Sequence, residues 1–132
     1  MTPPPPRVGP LVGLKVVEMG HYIAGPFCTR VLADLGAEVI KVEPPGGDPV
    51  RGWGAKVDGN PVWFSIHGRN KLSVVLDLKR ERAAALRLAA RADVLVENFR
   101  PGQLERLGLG PEALHAVNPR LVIARVSGYG QD

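Results

Sequence analysis

The chain has 132 residues, 45% hydrophobic and 23% charged, a balance typical of one globular domain and not of a disordered or fibrous protein. Its single cysteine excludes an internal disulfide and favours a reducing compartment, so we expect a cytoplasmic protein. The net charge of +4 favours an anionic partner without specifying its class, and no apolar run reaches membrane-spanning length, so no membrane contact is expected.

The first ten residues, MTPPPPRVGP, differ from the rest of the chain in composition. They lack the apolar stretch of a signal peptide and predict a disordered, proline-rich lead. The four consecutive prolines also allow a second interpretation, an extended recognition segment of polyproline type. The remaining residues, 11–132, are expected to form one domain.

Strands and helices alternate along this domain. Helices are predicted over residues 25–36, 78–91, 101–107 and 111–117, with a Gly- and Pro-rich loop over 43–60 and a short helix within 61–70. Apolar, β-branched runs that predict strands occupy residues 14–19, 37–42, 72–76, 93–97 and 121–127. This alternation predicts an α/β fold: an open, mostly parallel sheet of about five strands with helices on both faces, Rossmann-like.

Spacing also predicts which side chains are buried. Phe27, Val31 and Leu35 repeat at helical spacing and should face the sheet. Asp77 is the expected N-cap of the helix over residues 78–91. The candidate buried residues of the short helix are Trp63, Phe64 and Ile66.

Polar segments follow each predicted strand at its carboxyl end. In an open parallel sheet, ligands bind in the crevice beyond these ends, so the functional residues should gather on one rim. The segments cover residues 20–26, 43–48, 77–80, 98–102 and 128–132.

Cations cluster where the helix over residues 78–91 is expected to begin. Lys79, Arg80 and Arg82 lie there, although the positive end of the helix dipole favours acidic residues. A positive helix end attracts phosphate, which makes Lys79 a candidate phosphate ligand. Exposure of these side chains to water is an equally good interpretation.

Two further polar segments suggest ligand contacts. Asn98, Phe99 and Arg100 combine an amide, a stacking face and a forked cation, which suits a nucleotide-like group; an ordinary turn before Pro101 is the alternative. Arg106 is close enough in sequence to contribute, although a solvated surface arginine is commoner. His21 suits substrate binding or proton transfer, and a packing histidine is the alternative.

Several motifs are missing from the sequence. It contains no G-x-G-x-x-G, no P-loop and no serine in a nucleophile elbow. His67 and His115 lack metal-ligand spacing, so both are interpreted as structural and no metal is expected. These absences weaken the case for dinucleotide-dependent and nucleotide-hydrolysing enzymes.

The order of five segments resembles the N-terminal part of the family III CoA-transferases, which include formyl-CoA transferase and the carnitine CoA-transferases. The α-methylacyl-CoA racemases share this fold. The resemblance covers residues 9–132. Its segments are GPLVGLKVVEMGHYIAGPF, LADLGAEVIKVEPPGGDPVR, GRNKLSVVLDLK, ADVLVENFRPGQLERLGLG and NPRLVIARVSGYGQ.

The resemblance implies that coenzyme A or an acyl-CoA is bound as substrate, with a carboxylic acid as the other substrate. One departure concerns Pro44, because some family members have an arginine at this position. The CoA contacts of the family correspond to His21, Ile23, Ala24, Leu76, Asp77, Leu78, Lys79, Asn98, Phe99, Arg100 and Arg106.

The resemblance also implies that catalytic residues are absent from this chain. The nucleophilic Asp of the transferases and the His/Asp pair of the racemases lie downstream of Asp132. We therefore expect a CoA-docking part that is inactive alone, as a fragment, a truncated product or one piece of a split enzyme. Full-length relatives form interlocked homodimers, in which each chain threads a ring made by the other. A chain of this length is too short to close such a ring, and its own oligomeric state stays open.

Three alternatives stay open beside the CoA-transferase. A racemase-like fragment is less favoured, because the long insert over residues 53–70 is more typical of the transferases. A non-catalytic CoA-binding module is the second alternative. A nucleic-acid binder is the weakest, because Lys and Arg are scattered and no nucleic-acid motif occurs, so no nucleic-acid partner is expected.

Overall fold

The computed structural model describes residues 6–132. No helix in this part of the chain combines the length and the apolar character needed to cross a membrane. The elements in chain order are β1 (Lys15–Glu18), α1 (Ala24–Asp34), β2 (Glu38–Glu43), a 3-10 helix (Pro49–Gly52), β3 (Lys56–Val57), β4 (Asn60–Pro61), α2 (Val62–Gly68), β5 (Lys71–Val75), α3 (Arg82–Ala89), β6 (Val94–Glu97), α4 (Gln103–Arg106), α5 (Pro111–Val117) and β7 (Val122–Arg125).

The main sheet has five strands in the order β5-β2-β1-β6-β7, and every neighbouring pair is parallel. The predicted α/β fold and the predicted strands are thereby confirmed, with ends that differ by one or two residues. Strand order reverses between β1 and β6. This reversal opens a crevice beyond the carboxyl ends of the two strands, where ligands bind in such sheets.

Both faces of the sheet are covered, as predicted. On one face, Val17 and Leu95 pack with Leu104 and Leu114 from α4 and α5. On the other face, Val16 packs with Ala33 of α1 and with Val39 and Val96. Val16 and Val17 point to opposite faces because side chains alternate along a strand. Burial of such side chains contributes roughly 1.5–3 kcal/mol each.

The predicted inner face of α1 is wrong. Phe27, Val31 and Leu35 are exposed, at 47%, 39% and 41% of their surface. The residues that face the sheet are small ones, including Thr29 and Ala33. Small side chains let the helix lie close to the sheet, and the Thr29 hydroxyl donates to the buried Glu18 carboxylate at 2.5 Å.

The helix predicted over residues 78–91 begins later, at Arg82. Asp77 is not its N-cap. The Asp77 Oδ1 instead accepts from Lys79 N at 3.0 Å, and its carbonyl accepts from Arg80 N at 2.9 Å. This is a turn that Asp side chains favour in competition with helix. Lys79 and Arg80 therefore lie before the helix and not in its first turn.

The loop predicted over residues 43–60 contains regular structure. A short 3-10 helix is followed by an antiparallel pairing of β3 with β4. The turn between these strands places Asp58 and Gly59 at positive φ angles of 49° and 78°. An Asp-Gly pair adopts these angles readily, so residues 58–59 are a sequence signal for a hairpin.

The short helix predicted within residues 61–70 is confirmed as α2. Its predicted buried residues are not: Trp63 and Ile66 are exposed, and Phe64 is half-buried. The buried residue is His67, whose ring stacks on Trp63 at a centroid distance of 5.6 Å. The apolar side of α2 thus points away from the sheet, as it does on α1.

The predicted lead falls partly outside the described residues, since residues 1–5 are not covered. Its second half contacts the domain. Arg7 Nη1 donates to the carbonyl oxygens of Ala37 at 2.8 Å and Asn70 at 3.3 Å. Leu11 N donates to the Leu35 carbonyl at 3.0 Å. The chain from Arg7 onward therefore packs beside the start of β2 and does not extend freely.

Candidate functional site

A cavity of about 160 Å³ opens on the rim that the sequence indicated. It lies beyond the carboxyl ends of β1, β2, β5 and β6. The carboxyl ends of parallel strands meet at one edge, so residues from distant parts of the chain converge here. The cavity is lined by His21, Val42, Pro44, Pro45, Leu76, Asp77, Leu78, Lys79, Phe99, Gln103 and Leu107.

The cavity brings together a subset of the predicted site residues. These are His21, Leu76, Asp77, Leu78, Lys79 and Phe99. Ile23 and Ala24 lie exposed at the start of α1, and Arg100 and Arg106 are exposed at the edge of the rim. Gln103 and Leu107, on and just after α4, line the cavity and were not predicted. They are one helical turn apart, a spacing that was readable from the sequence.

Asn98 lies behind His21. Its Oδ1 accepts from His21 N and its Nδ2 donates to His21 O, both at 2.9 Å. A Cβ added at Gly20 would clash with Asn98 Oδ1, and one at Gly25 would lie 3.0 Å from it. These glycines therefore permit the close approach, and Asn98 holds the loop after β1 in place.

The His21 ring is held between two neighbours. It meets the Phe99 ring edge-on at a centroid distance of 5.4 Å. Its Nδ1 lies 4.0 Å from Asp48 Oδ2. Burial lowers the pKa of His21, and the nearby Asp48 offsets only part of this effect. The imidazole is therefore neutral at physiological pH and has one donor and one acceptor nitrogen.

Lys79 is the cation best placed to meet an anion at the cavity. Its main-chain N–H is fixed by Asp77, and its side chain is exposed. Among residues 6–132, no carboxylate forms an ion pair with Lys79, whereas Arg80 lies 3.7 Å from Asp77. A cation without a protein partner beside an apolar cavity suits a phosphorylated ligand.

A group of buried charges lies below the rim and was not predicted from the sequence. Lys41 Nζ lies 2.6 Å from Glu18 Oε1 and 2.7 Å from Asp48 Oδ2. Lys71 Nζ lies 2.7 Å from Glu18 Oε2, and burial lowers the pKa of Lys71. Glu18 and Lys41 are direct partners across β1 and β2. The sequence signal for this ion pair was the presence of charged residues of opposite sign within two otherwise apolar strands.

Two other carboxylates near the rim are also held by cations. Glu43 accepts two hydrogen bonds from Arg51 at 2.7 Å and one from Ser73 at 2.6 Å. Burial opposes ionisation, yet these hydrogen bonds lower the pKa of Glu43 to about 2. Glu97 is paired with Arg125 at 2.7 Å. Neither carboxylate is free to attack a substrate.

The remaining candidates for chemistry have structural contacts. His115 Nε2 lies 3.0 Å from the Leu121 carbonyl oxygen. Within residues 6–132, no group of three or more His, Cys, Asp or Glu side chains is arranged to hold a metal ion.

The family model described as CoA-transferase family III matches residues 11–132. The chain belongs to CoA-transferase family III. The match covers the sheet, both helical layers and the complete cavity, so the resemblance seen in the sequence is confirmed.

Individual relatives support this family assignment. The chain is 53% identical to the succinyl-CoA–D-citramalate CoA-transferase of Chloroflexus aurantiacus over 96% of the chain and 32% of that protein. It is 50% identical to the acetyl-CoA:oxalate CoA-transferase of Acetobacter aceti, over 98% of the chain and 34% of that protein. The chain spans about a third of the length of these relatives.

Solved structures of the family have the same fold in this region. The orthorhombic form of Rv3272 from Mycobacterium tuberculosis superposes with a TM-score of 0.86 at 46% identity, covering 96% of this chain and 36% of that one. A CAIB/BAIF family protein from Brucella suis gives a TM-score of 0.87 at 43% identity, covering 94% of this chain and 35% of that one.

Proposed function

We propose that this chain is the CoA-docking part of a CoA-transferase that moves CoA between an acyl-CoA and a carboxylic acid. The observation on which this depends is the rim cavity, where the loops after β1, β2, β5 and β6 meet. It combines apolar walls with Lys79 at its edge, a cation that forms no ion pair within residues 6–132. This combination suits a ligand that has both a hydrophobic part and phosphates.

The cavity suggests how CoA is arranged. A volume of about 160 Å³ holds one part of CoA and leaves the rest to lie along the rim. We place the adenine or its neighbouring groups against Phe99 and His21, and the phosphates near Lys79, with Arg100 and Arg106 as further cations. Because Asn98 forms hydrogen bonds with the main chain of His21, its role is to hold His21 in position to contact CoA.

The relatives support a role in binding CoA more than in choosing the acid. Those named for D-citramalate, oxalate and glutarate are 53%, 50% and 42% identical to this chain. The names of these enzymes all include CoA but differ in the acid. A region of sequence that is similar in all of them is expected to bind the substrate that they share. The acid and the covalent chemistry then belong to parts of the protein outside these 132 residues.

The exposed apolar side chains of α1 and α2 support a further part of the proposal, that the whole protein is a homodimer. Phe27 and Val31 on α1 and Trp63 and Ile66 on α2 are each about 40% exposed or more. A cluster of this kind marks a surface that another part of an assembly covers. We also propose a cytoplasmic location, because Cys28 is a free thiol.

The binding proposal is tested by calorimetric titration of CoA into the chain. Lys79→Ala should weaken binding by about tenfold or more, because a charge-assisted hydrogen bond is worth roughly 1.5–3 kcal/mol. Lys56→Ala, in the exposed β3 strand, is the matched control and should leave affinity unchanged. Phe99→Leu should weaken binding while keeping an apolar side chain in the core. Unchanged affinity in both Lys79→Ala and Phe99→Leu would count against the cavity.

A further inference from the structure

Asp48 is buried in a loop whose other residues are largely exposed. It is 1% exposed, although Pro45, Gly46 and Pro49 around it lie at the surface. Its Oδ1 accepts hydrogen bonds from Val50 N at 2.9 Å and Tyr22 N at 3.4 Å. Asp48 therefore links the loop after β2 to the loop after β1, and both loops contribute residues to the cavity.

The charge of Asp48 is balanced within the protein. Its Oδ2 lies 2.7 Å from Lys41 Nζ. Lys41 also contacts Glu18, which pairs in turn with Lys71. Two carboxylates and two ammonium groups thus form a neutral buried group. Burying an ion costs several kcal/mol unless it is paired, so these ion pairs offset the cost of burying the Asp48 side chain.

His21 turns one ring nitrogen toward this carboxylate. Its Nδ1 is fully buried, has no hydrogen-bond partner among the described residues, and lies 4.0 Å from Asp48 Oδ2. The ring lines the cavity, and the side chain remains 26% exposed. The ring edge that a ligand can reach is therefore the one opposite Nδ1.

We infer that Asp48 is a positioning residue that orients His21 and sets its tautomer. The proton resides on Nδ1, which faces the Asp48 carboxylate, and Nε2 is left as an acceptor toward the cavity. A buried carboxylate beside one imidazole nitrogen fixes the proton on that nitrogen. At 4.0 Å the Asp48 charge acts on Nδ1 through space and favours the tautomer whose N–H points toward it. This inference rests on the proposed function for its ligand, CoA.

The inference is tested first on the unaltered chain without ligand. Nitrogen-15 NMR distinguishes the two neutral tautomers of an imidazole, and a His21→Gln variant identifies the His21 signals among those of the three histidines. We expect the Nδ1–H form at His21, against the Nε2–H form that free imidazole side chains prefer. A predominant Nε2–H form would overturn the inference, whether or not CoA binds.

The second arm compares Asp48→Asn with Asp58→Asn, a control in the exposed β3–β4 turn. Asp48→Asn should shift His21 toward the Nε2–H form and weaken CoA binding about tenfold, equivalent to ~1.4 kcal/mol. It should also lower the His21 pKa further, because Asp48 raises it while burial, Lys41 and the more distant Glu18 and Glu43 stay the same. The control should change none of these.

The outcomes separate the two proposals. If the unaltered chain does not bind CoA, the proposed function fails, and the His21 tautomer still decides the role of Asp48. If Asp48→Asn keeps the Nδ1–H form, the role of Asp48 is overturned. If Asp48→Asn does not fold, the double variant Lys41→Met with Asp48→Asn removes one charge of each sign and leaves the Glu18–Lys71 pair. In that variant, retention of the Nδ1–H form would overturn the inference.

Discussion

The Asn98 side chain bonds both main-chain polar groups of His21, accepting from N and donating to O, each at 2.9 Å. These two hydrogen bonds join the loops after β1 and β6 across the point where strand order reverses. One amide thus ties together the two loops that flank the crevice beyond the carboxyl ends of these strands.

Replacing the Asn98 amide should lower the stability of the fold and weaken CoA binding. Asn98→Ala should reduce the free energy of unfolding by about 1–3 kcal/mol, because it leaves two partly buried main-chain groups unpaired. Urea denaturation measures this change. Asn60→Ala in the exposed hairpin is the control and should stay within about 0.5 kcal/mol of the unaltered chain. Equal effects of the two substitutions would mean that the Asn98 bridge is not stabilising.

Glu43 makes the stability of the fold depend on pH in the acid range. Its pKa is about 2 in the folded chain against an ordinary value of 4.5, so its contribution is complete above pH 4.5 and is lost as the pH falls toward 2. Glu43→Gln should therefore cost on the order of 2 kcal/mol at pH 7, a value that allows for solvent screening at the half-exposed Arg51. The cost should shrink when urea denaturation is repeated at pH 3.

A matched substitution on the same strand, Glu38→Gln, separates this effect from the general loss of charge. At pH 7, Glu38→Gln should reduce the free energy of unfolding by less than Glu43→Gln does. A cost of Glu43→Gln that stays the same from pH 7 to pH 3 would contradict the assigned ion pair.

Arg125 holds the other side of the rim. It pairs with the buried Glu97, whose second oxygen accepts from Phe99 N at 2.7 Å, and it contacts Glu105 on α4. Arg125→Met should reduce the free energy of unfolding by about 3 kcal/mol in urea denaturation, because it leaves the buried Glu97 side chain without its ion-pair partner. Adding Glu97→Gln should recover part of that loss.

Arg87→Met, on the exposed side of α3, is the control for the loss of an arginine and should have little effect. If the double variant is less stable than Arg125→Met alone, the loss does not come from an unpaired Glu97.

The chain alone should show no CoA-transferase turnover. Covalent exchange needs a carboxylate held next to the thioester, and the buried rim acids are each paired: Glu43 with Arg51, Asp48 with Lys41, Glu97 with Arg125. Incubation with acyl-CoA donors and free acids, followed by mass spectrometry, tests this. Exchange that disappears on mutating one of these acids, or Asp58 in the hairpin turn, would show that the nucleophile lies here.

The strands and their parallel arrangement were predictable because buried parallel strands require apolar, β-branched runs and turns at both ends. The order of the strands in the sheet was not predicted. The position of the rim was predictable from the same pattern, since the carboxyl ends of parallel strands meet at one edge. His21, Lys79 and Phe99 lie at the cavity for this reason. The start of α3 was not predictable from the cations alone, because Asp77 forms a competing turn.

The buried face of α1 and the charges below the rim were harder to predict. Helical spacing selected Phe27, Val31 and Leu35, whereas the sheet accepts the small residues Thr29 and Ala33. Spacing gives the periodicity of an apolar face, but it does not say whether the sheet or another part of an assembly covers that face. Likewise, the ion-pair partner of a charged residue in an apolar strand cannot be predicted until the strand order is known.

Binding of CoA at the rim cavity can be mapped residue by residue. CoA is titrated into isotopically labelled chain, and the backbone amides are followed by NMR. We expect the amides of residues 20–24, 76–79 and 98–100 to shift, while those of residues 56–61 in the hairpin stay unchanged. Shifts confined to the separate cavity beside Arg7, Asp34 and Asn70, or an unchanged spectrum at saturating CoA, would contradict binding at the rim cavity.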